Sequence, residues 1–298
     1  MRELHQFNLS EWLQLLPVQQ GLKQLRNDAL LARYLSVRPP ALHGFLDQHA
    51  QLAERTVAAV IAFEQPWALD WLLSAARLRM PKTTVLVFDN SRTEERRQEI
   101  RAICARHHTA WLGLPQYRTR HVNRSHGMAM SWVYHNVLTQ LRPRIFGFLD
   151  HDLIPVRRVE PAQPLQEQPV YGLLNAGNLR HWSLWAGYCW FRTDAVEGRP
   201  LNFLYDFSRG LDTGGRNWIP LYRGLDQARL RFAPQEFRAL TLPSGATREV
   251  EIVDGRWLHI GGISYNNNLA PKFAFHAELR RLLEDEGVSF DALASRSG

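Results

Sequence analysis

The segment Ile145-Phe146-Gly147-Phe148-Leu149-Asp150-His151-Asp152 lies at the middle of the chain and carries its clearest strand signal. An apolar run with no polar alternation reads as a strand buried on both faces of a sheet. It ends abruptly in carboxylates at Asp150 and Asp152. Residues two apart on an extended chain point to the same side, so the two acids are expected to face one point just beyond the strand.

Working upstream, the same grammar repeats. Thr56–Ala62 and Thr84–Phe88 are short β-branched runs, the second ending at Asp89-Asn90-Ser91. The intervals Trp67–Leu78 and Gly127–Leu141 carry apolar residues at helical spacing. Ser91-Arg92-Thr93-Glu94 has capping-box spacing and predicts a helix from there to about Arg106, with Thr109–Leu112 as a further strand. Strands alternating with helices predict an α/β domain built on a mostly parallel sheet with flanking helices. Residues 1–54 read as a helical N-terminal extension, with Trp12, Leu13, Leu15 and Leu16 as an apolar stripe and Arg38-Pro39-Pro40 as a break.

Downstream the texture changes. Leu184–Arg192 reads as an extended, aromatic segment, followed by the Gly- and Asp-rich loop 209–217. Asp254-Gly255 between Glu249–Val253 and Arg256–Ile260 predicts a hairpin with a type I′ turn, whose central residues need positive φ. Lys272 to Glu286 reads as a helix. The expected organisation is therefore an extension (1–54), two halves of one domain (55–160 and 161–265) and a C-terminal helical segment (266–298).

The 298 residues carry a formal charge of +7. A chain of this size buries about three-quarters of its unfolded surface and needs no disulfide. Cys104 and Cys189 have no metal-ligand spacing and fit a reducing compartment. With no apolar run of signal-peptide or membrane-spanning length, a cytoplasmic protein is expected. The surplus charge attracts polyanions, and association with an anionic membrane face is one expected consequence. The arginines are scattered rather than interleaved with aromatics in a tract, which argues against a nucleic-acid partner.

Asp150 and Asp152 at a strand's carboxyl end suit one hard divalent cation, Mn²⁺ or Mg²⁺. His259, just before Gly261-Gly262, is the expected third ligand, and an imidazole favours Mn²⁺. Asp89 would face the same rim, either as an acceptor for a nucleobase or ribose or as a cap for the next helix. Asp212, ahead of Gly214-Gly215, is the candidate general base. Trp185, Tyr188 and Trp190 are candidates for stacking on a sugar, though aromatics in strands more often form core.

Taken together, Ala62-Phe63-Glu64, Asp89-Asn90-Ser91, Asn123-Arg124-Ser125-His126-Gly127, Phe148–Asp152 and His259 resemble the GT-A glycosyltransferases, especially their family-2-like inverting group. The resemblance runs from about Thr56 to Ile260. It implies a Rossmann-like fold and a nucleotide-sugar donor contacted by Ala62, Phe63, Glu64, Asp89, Arg124, Asp150 and His151. It also implies a metal on the Asp-X-Asp triplet and a saccharide, glycolipid or other hydroxyl acceptor. The acceptor-side Glu-Asp pair of many such enzymes is absent, which is why Asp212 is considered as the base. The Gln-X-X-Arg-Trp motif of processive synthases is also missing, which points to transfer of a single sugar. The competing readings are a nucleotidyltransferase and a basic, non-catalytic nucleic-acid binder. The first would call for a Gly-rich loop after Ala62, where Phe63–Trp67 stands instead.

Overall fold

The computed structural model describes residues 17–117, 119, 121–263 and 269–295. Two helices, α1 (Pro17–Leu35) and α2 (Leu42–His49), precede the sheet, broken where Arg38-Pro39-Pro40 was expected to break them. The apolar stripe at Trp12 to Leu16 lies outside the described residues. The alternating series follows as β1 (Thr56–Ala62), α3 (Pro66–Arg79), β2 (Thr84–Asp89), α4 (Glu94–Arg106), β3 (Ala110–Gly113), α5 (Val122–Val133) and β4 (Ile145–Asp150). Pro66 opens α3 at a position whose N–H has no helical partner anyway. The cap of α4 is Thr93, whose Oγ1 accepts from the Arg96 N–H, so this helix starts two residues later than the box at Ser91 would place it. Glu94 and Glu95 then sit in its first turn, where the helix dipole favours acids. α5 begins five residues before Gly127 and continues through a π-helical turn at Tyr134–Leu138.

The second half supplies β5 (Leu153–Pro155), β6 (Val170–Ala176), β7 (Trp182–Arg192), β8 (Gln235–Thr241), β9 (Thr247–Val253) and β10 (Trp257–His259). It ends in helices α6 (Ala270–Glu284) and α7 (Phe290–Ser295). The main sheet has the order β3-β2-β1-β4-β7-β6, with β1 to β4 parallel and β7 and β6 antiparallel to their neighbours. Segment 161–265 thus completes the sheet begun by 55–160. A second, antiparallel sheet has the order β5-β10-β9-β8.

β1 is buried at every position, and its side chains divide between two cores. Ala58, Val60 and Ala62 join the core under α3, α4, α6 and the second sheet. Val57, Ala59 and Ile61 join the core under α1, α2 and α5. Where β4 meets β7, the Trp190 ring lies across Gly147; a Cβ there would come within 2.3 Å of it. The expected sugar-stacking roles of Tyr188 and Trp190 give way to this packing, for both side chains are fully buried.

The strand order sets the site. The chain steps from β1 outward to β2 and β3, then returns across β1 to lay β4 on its other side. The order reverses between β1 and β4, and at such a switch point the carboxyl ends of neighbouring strands diverge into a crevice. Ile61 and Asp150 are register partners at this place.

The C-terminal helix gives the fold a titratable element. His276 on α6 is buried, its Nδ1 lies 2.7 Å from the Lys272 carbonyl, and burial depresses its pKa from 6.5 to about 4. Between those values the unfolded chain binds the extra proton, so stability rises with pH. The contribution is complete above about pH 6.5 and is lost as pH falls through about 4, an effect on the order of 3 kcal/mol. Urea unfolding at about pH 7.5 and about pH 4.5 should show His276→Gln losing a large part of the wild-type difference.

Candidate active site

The crevice between β1 and β4 opens into a cleft whose space, mouth included, is about 890 Å³. Its floor and walls include Ile61, Phe63, Asn90, Ser125, Asp150, Asp152, Trp185, Asp212 and His259.

Asp150 ends β4, and residues 151 and 152 turn the chain into β5, which belongs to the other sheet. The two acids therefore converge across a turn, rather than on one continuous strand as their spacing suggested. β10 pairs with β5 so that His259 lies opposite Leu153, and the Ile260 N–H donates to the Asp152 carbonyl at 3.0 Å. One ligand atom from each of Asp150, Asp152 and His259 falls within 4.8 Å of the others. Such a set of two carboxylates and an imidazole suits one divalent cation.

Glu251 refines the set. On β9 it is the register partner of His259, and its Oε2 lies 2.7 Å from His259 Nδ1. In that contact Nδ1 donates to the carboxylate, and Nε2 is left toward Asp152, 3.8 Å from its Oδ1. The Trp185 ring backs the imidazole, with centroids 4.8 Å apart at 60°. Burial alone would lower the His259 pKa, but the charges of Asp152 and Glu251 outweigh it and hold the ring at about 9. Burial raises Glu251, yet its bond to His259 leaves it below the usual carboxylate range.

Asp212 stands on another wall. The Asn123 side-chain amide donates to its Oδ1 at 2.9 Å, and Thr213 Oγ1 lies 3.4 Å from the same oxygen. His126, also on the wall, has Nε2 3.4 Å from Asp150 Oδ1. His151 lines the cleft with its Nε2 buried and without a hydrogen-bond partner.

Four of the residues named from the resemblance are not brought into the cleft. Asp89 is fully buried; one carboxylate oxygen accepts from the Ser91 N–H at 2.9 Å and the other from the Trp111 indole at 3.3 Å. Burial raises its pKa despite these bonds. It braces the end of β2, and its neighbour Asn90 occupies the wall, donating to Ser125 Oγ at 3.0 Å. Ala62 is enclosed within the sheet. Glu64 takes a positive φ of 58° and accepts from the Arg92 N–H at 2.7 Å, which holds it in the corner after β1. Arg124 is buried on α5 and reaches Tyr205, with 3.3 Å between them. Phe63, with the Arg92 guanidinium over its ring at 5.2 Å, does line the cleft.

Glu251, His126, Asn123 and Asn90 were not singled out from the sequence as site residues. For Glu251 a signal existed, an acid set between Val250 and Ile252 in a hairpin strand, but its partner depended on the hairpin register. The structure has Trp257 opposite Val253, with Arg256 as an extra residue although its N–H still closes the turn on Val253 at 3.1 Å. A two-residue turn would instead pair 253 with 256 and set Glu251 against Leu258. Asp254 and Gly255 take the expected positive φ.

No family model matches the sequence, and no curated protein matches it. Among solved structures, one similar chain is the mannosyltransferase PcManGT from Pyrobaculum calidifontis in complex with GDP-Man and Mn²⁺. It is 13% identical at a TM-score of 0.35, over 60% of this chain and 56% of that one. TarS from S. aureus is 14% identical at 0.35, over 50% and 30%. Glucosyl-3-phosphoglycerate synthase from Mycobacterium tuberculosis in complex with phosphoglyceric acid is 11% identical at 0.33, over 54% and 64%. The chain is similar to parts of these three solved chains. It spans less than two-thirds of each of them.

The His259–Glu251 pair predicts how a metal would bind at this site. Near neutral pH the imidazole is charged, so a cation must displace its proton. Mn²⁺ titrations should release about one proton, and affinity should rise about tenfold per pH unit toward pH 9. Glu251→Gln should weaken Mn²⁺ roughly 10- to 100-fold, and Asp152→Asn should abolish measurable binding. Affinity that is flat with pH would contradict the imidazole's place in the set.

Proposed function

We propose that the protein transfers a single sugar from a nucleoside-diphosphate sugar to an acceptor hydroxyl, with metal dependence and with inversion. The observation that carries this reading is the convergence of Asp150, Asp152 and His259 within 4.8 Å at the switch point of a parallel sheet, in a cleft that also holds Asp212. Segment 55–160 would bind the donor and segment 161–265 the acceptor.

A Mn²⁺ or Mg²⁺ ion held by Asp150, Asp152 and His259 would stabilise the charge that develops on the leaving diphosphate. Phe63, Asn90 and Ser125 form the wall where β1 and β2 end, the side suited to the nucleoside. Asp212 takes the proton from the acceptor hydroxyl as that oxygen attacks the anomeric carbon. Asn123 occupies one oxygen of Asp212 and so fixes the carboxylate plane, leaving the other oxygen to act as base. Trp185 lines the same space while it backs His259.

A nucleotidyltransferase would need phosphate-cradling backbone after β1, and that corner is instead filled by Glu64 pinned to Arg92, with α3 starting at Pro66. Non-catalytic nucleic-acid binding gives no role to a buried acidic cluster. Among the described residues no helix is long and apolar enough to cross a membrane.

Incubation with nucleoside-diphosphate sugars and Mn²⁺, with release of nucleoside diphosphate as the readout, tests the reading. Asp150→Ala and Asp152→Ala should abolish turnover and leave the thermal unfolding temperature intact. Asp212→Asn should lower kcat by about 10² to 10⁴ while nucleotide affinity holds. Full activity in EDTA would overturn metal dependence, and full activity of Asp212→Asn would remove the base assignment.

A further inference from the structure

The acceptor side of the cleft continues outward into a surface whose features fit neither a solvated face nor a core. Three large apolar side chains project there: Leu179 is 94% exposed, Phe207 58% and Ile219 60%. They sit at the tips of separate turns that are tied together. The Asn178 N–H donates to the Arg209 carbonyl at 2.8 Å, so the β6–β7 hairpin tip abuts the turn after Phe207. His181 packs edge-on against Trp218 at 5.1 Å, which ties the same tip to the turn before Ile219. Leu211 and Asp206 exchange backbone bonds at 2.9 and 2.8 Å, and the chain then runs directly to Asp212 and Thr213 on the cleft wall.

Charge around these tips is one-sided. Acids beside these tips have basic partners of their own: Asp206 with Arg209, Asp226 with Arg229 and Asp28 with Arg216. Arg180, Arg199 and Arg223 are exposed and have no carboxylate partner among the described residues. Arg199 reaches the Pro220 carbonyl at 2.5 Å and so sits beside Ile219.

From this we propose that Leu179, Phe207 and Ile219, with Arg180, Arg199 and Arg223, form a docking face for an anionic lipid bilayer. Isolated apolar tips separated by cations suit the headgroup boundary, where a tip inserts and a guanidinium meets phosphate. A twofold contact between two copies would set these same uncompensated arginines against one another. Docking does not depend on the transfer reading. If that reading holds, the face presents the acceptor side of the cleft to the membrane, and the acceptor class it implies is a lipid-linked hydroxyl compound.

Flotation of the full chain with vesicles tests the proposal. The protein should bind vesicles containing about 30% phosphatidylglycerol at low salt, bind pure phosphatidylcholine far more weakly, and leave the anionic vesicles as salt is raised. Replacing Arg180, Arg199 and Arg223 together by Gln should lower partitioning by about 100-fold. Leu179→Asn with Phe207→Ser and Ile219→Ser should lower it independently. Mn²⁺ affinity should be unchanged in both variants, which shows that the fold and cleft survive. Unchanged vesicle binding in both variants, or equal binding to both vesicle types, overturns the proposal. So does a concentration-dependent dimer, without vesicle binding, that the apolar substitutions dissolve. Vesicle binding without any sugar transfer would leave docking standing and count against the transfer reading alone.

Discussion

The pairing of β5 with β10 is the constraint on which the site depends. Without it, Asp150 and Asp152 are two acids at the end of a strand, and His259 lies more than a hundred residues further along the chain. With it, Leu153 stands opposite His259, and the Asp152 carbonyl holds the Ile260 N–H. The cluster concentrates three carboxylates and an imidazole in a poorly solvated place, and such a grouping persists only when its charges compensate. Glu251 and the acids at 150 and 152 keep the imidazole protonated, and the imidazole in turn holds Glu251 ionised. The same balance leaves an excess of negative charge for a cation to complete.

The rest of the architecture serves to fix the two ends of that pairing. β4 is held by parallel bonds to β1 and antiparallel bonds to β7, with Trp190 closing over Gly147, so the position of Asp150 is set by packed neighbours on both sides. β10 is held between β5 and β9, and the apolar side chains of Ile252, Trp257 and Leu258 anchor this small sheet in the same core as α3, α4 and α6. Lys272 on α6 donates to the carbonyls of Ile260 and Gly261, which ties the segment after His259 to the C-terminal helix. Helix α5, on the opposite face, carries Asn123 to Asp212 and His126 to Asp150. The cleft is thus bounded by elements from both cores, and its polar groups meet only because the sheet reverses its strand order between β1 and β4.

The alternating strands and helices, their approximate ends, the hairpin at Asp254-Gly255 and the metal-suited pair at 150 and 152 were legible in the sequence. Each is dictated by local physics: buried strands demand unbroken apolar runs, helices a 3.6-residue period, and a turn with two positive φ values an Asp-Gly pair. Other features were not legible, because they depend on which side of a strand end faces the crevice and on a register shifted by one residue. Asp89 was expected at the rim and is instead sealed by Trp111 and the Ser91 N–H, with Asn90 taking the wall. Arg124 was expected at the donor and turns on its helix toward Tyr205. Glu251 became the partner of His259 through the extra residue at Arg256, since one residue of slip moves every side chain of a strand to the other face. Local propensity and residue chemistry are carried by neighbours along the chain, so the elements and the acids that end β4 are legible there. Which buried polar groups meet is decided by contacts between distant segments, and only the tertiary structure joined Asp152, His259 and Glu251 into one site.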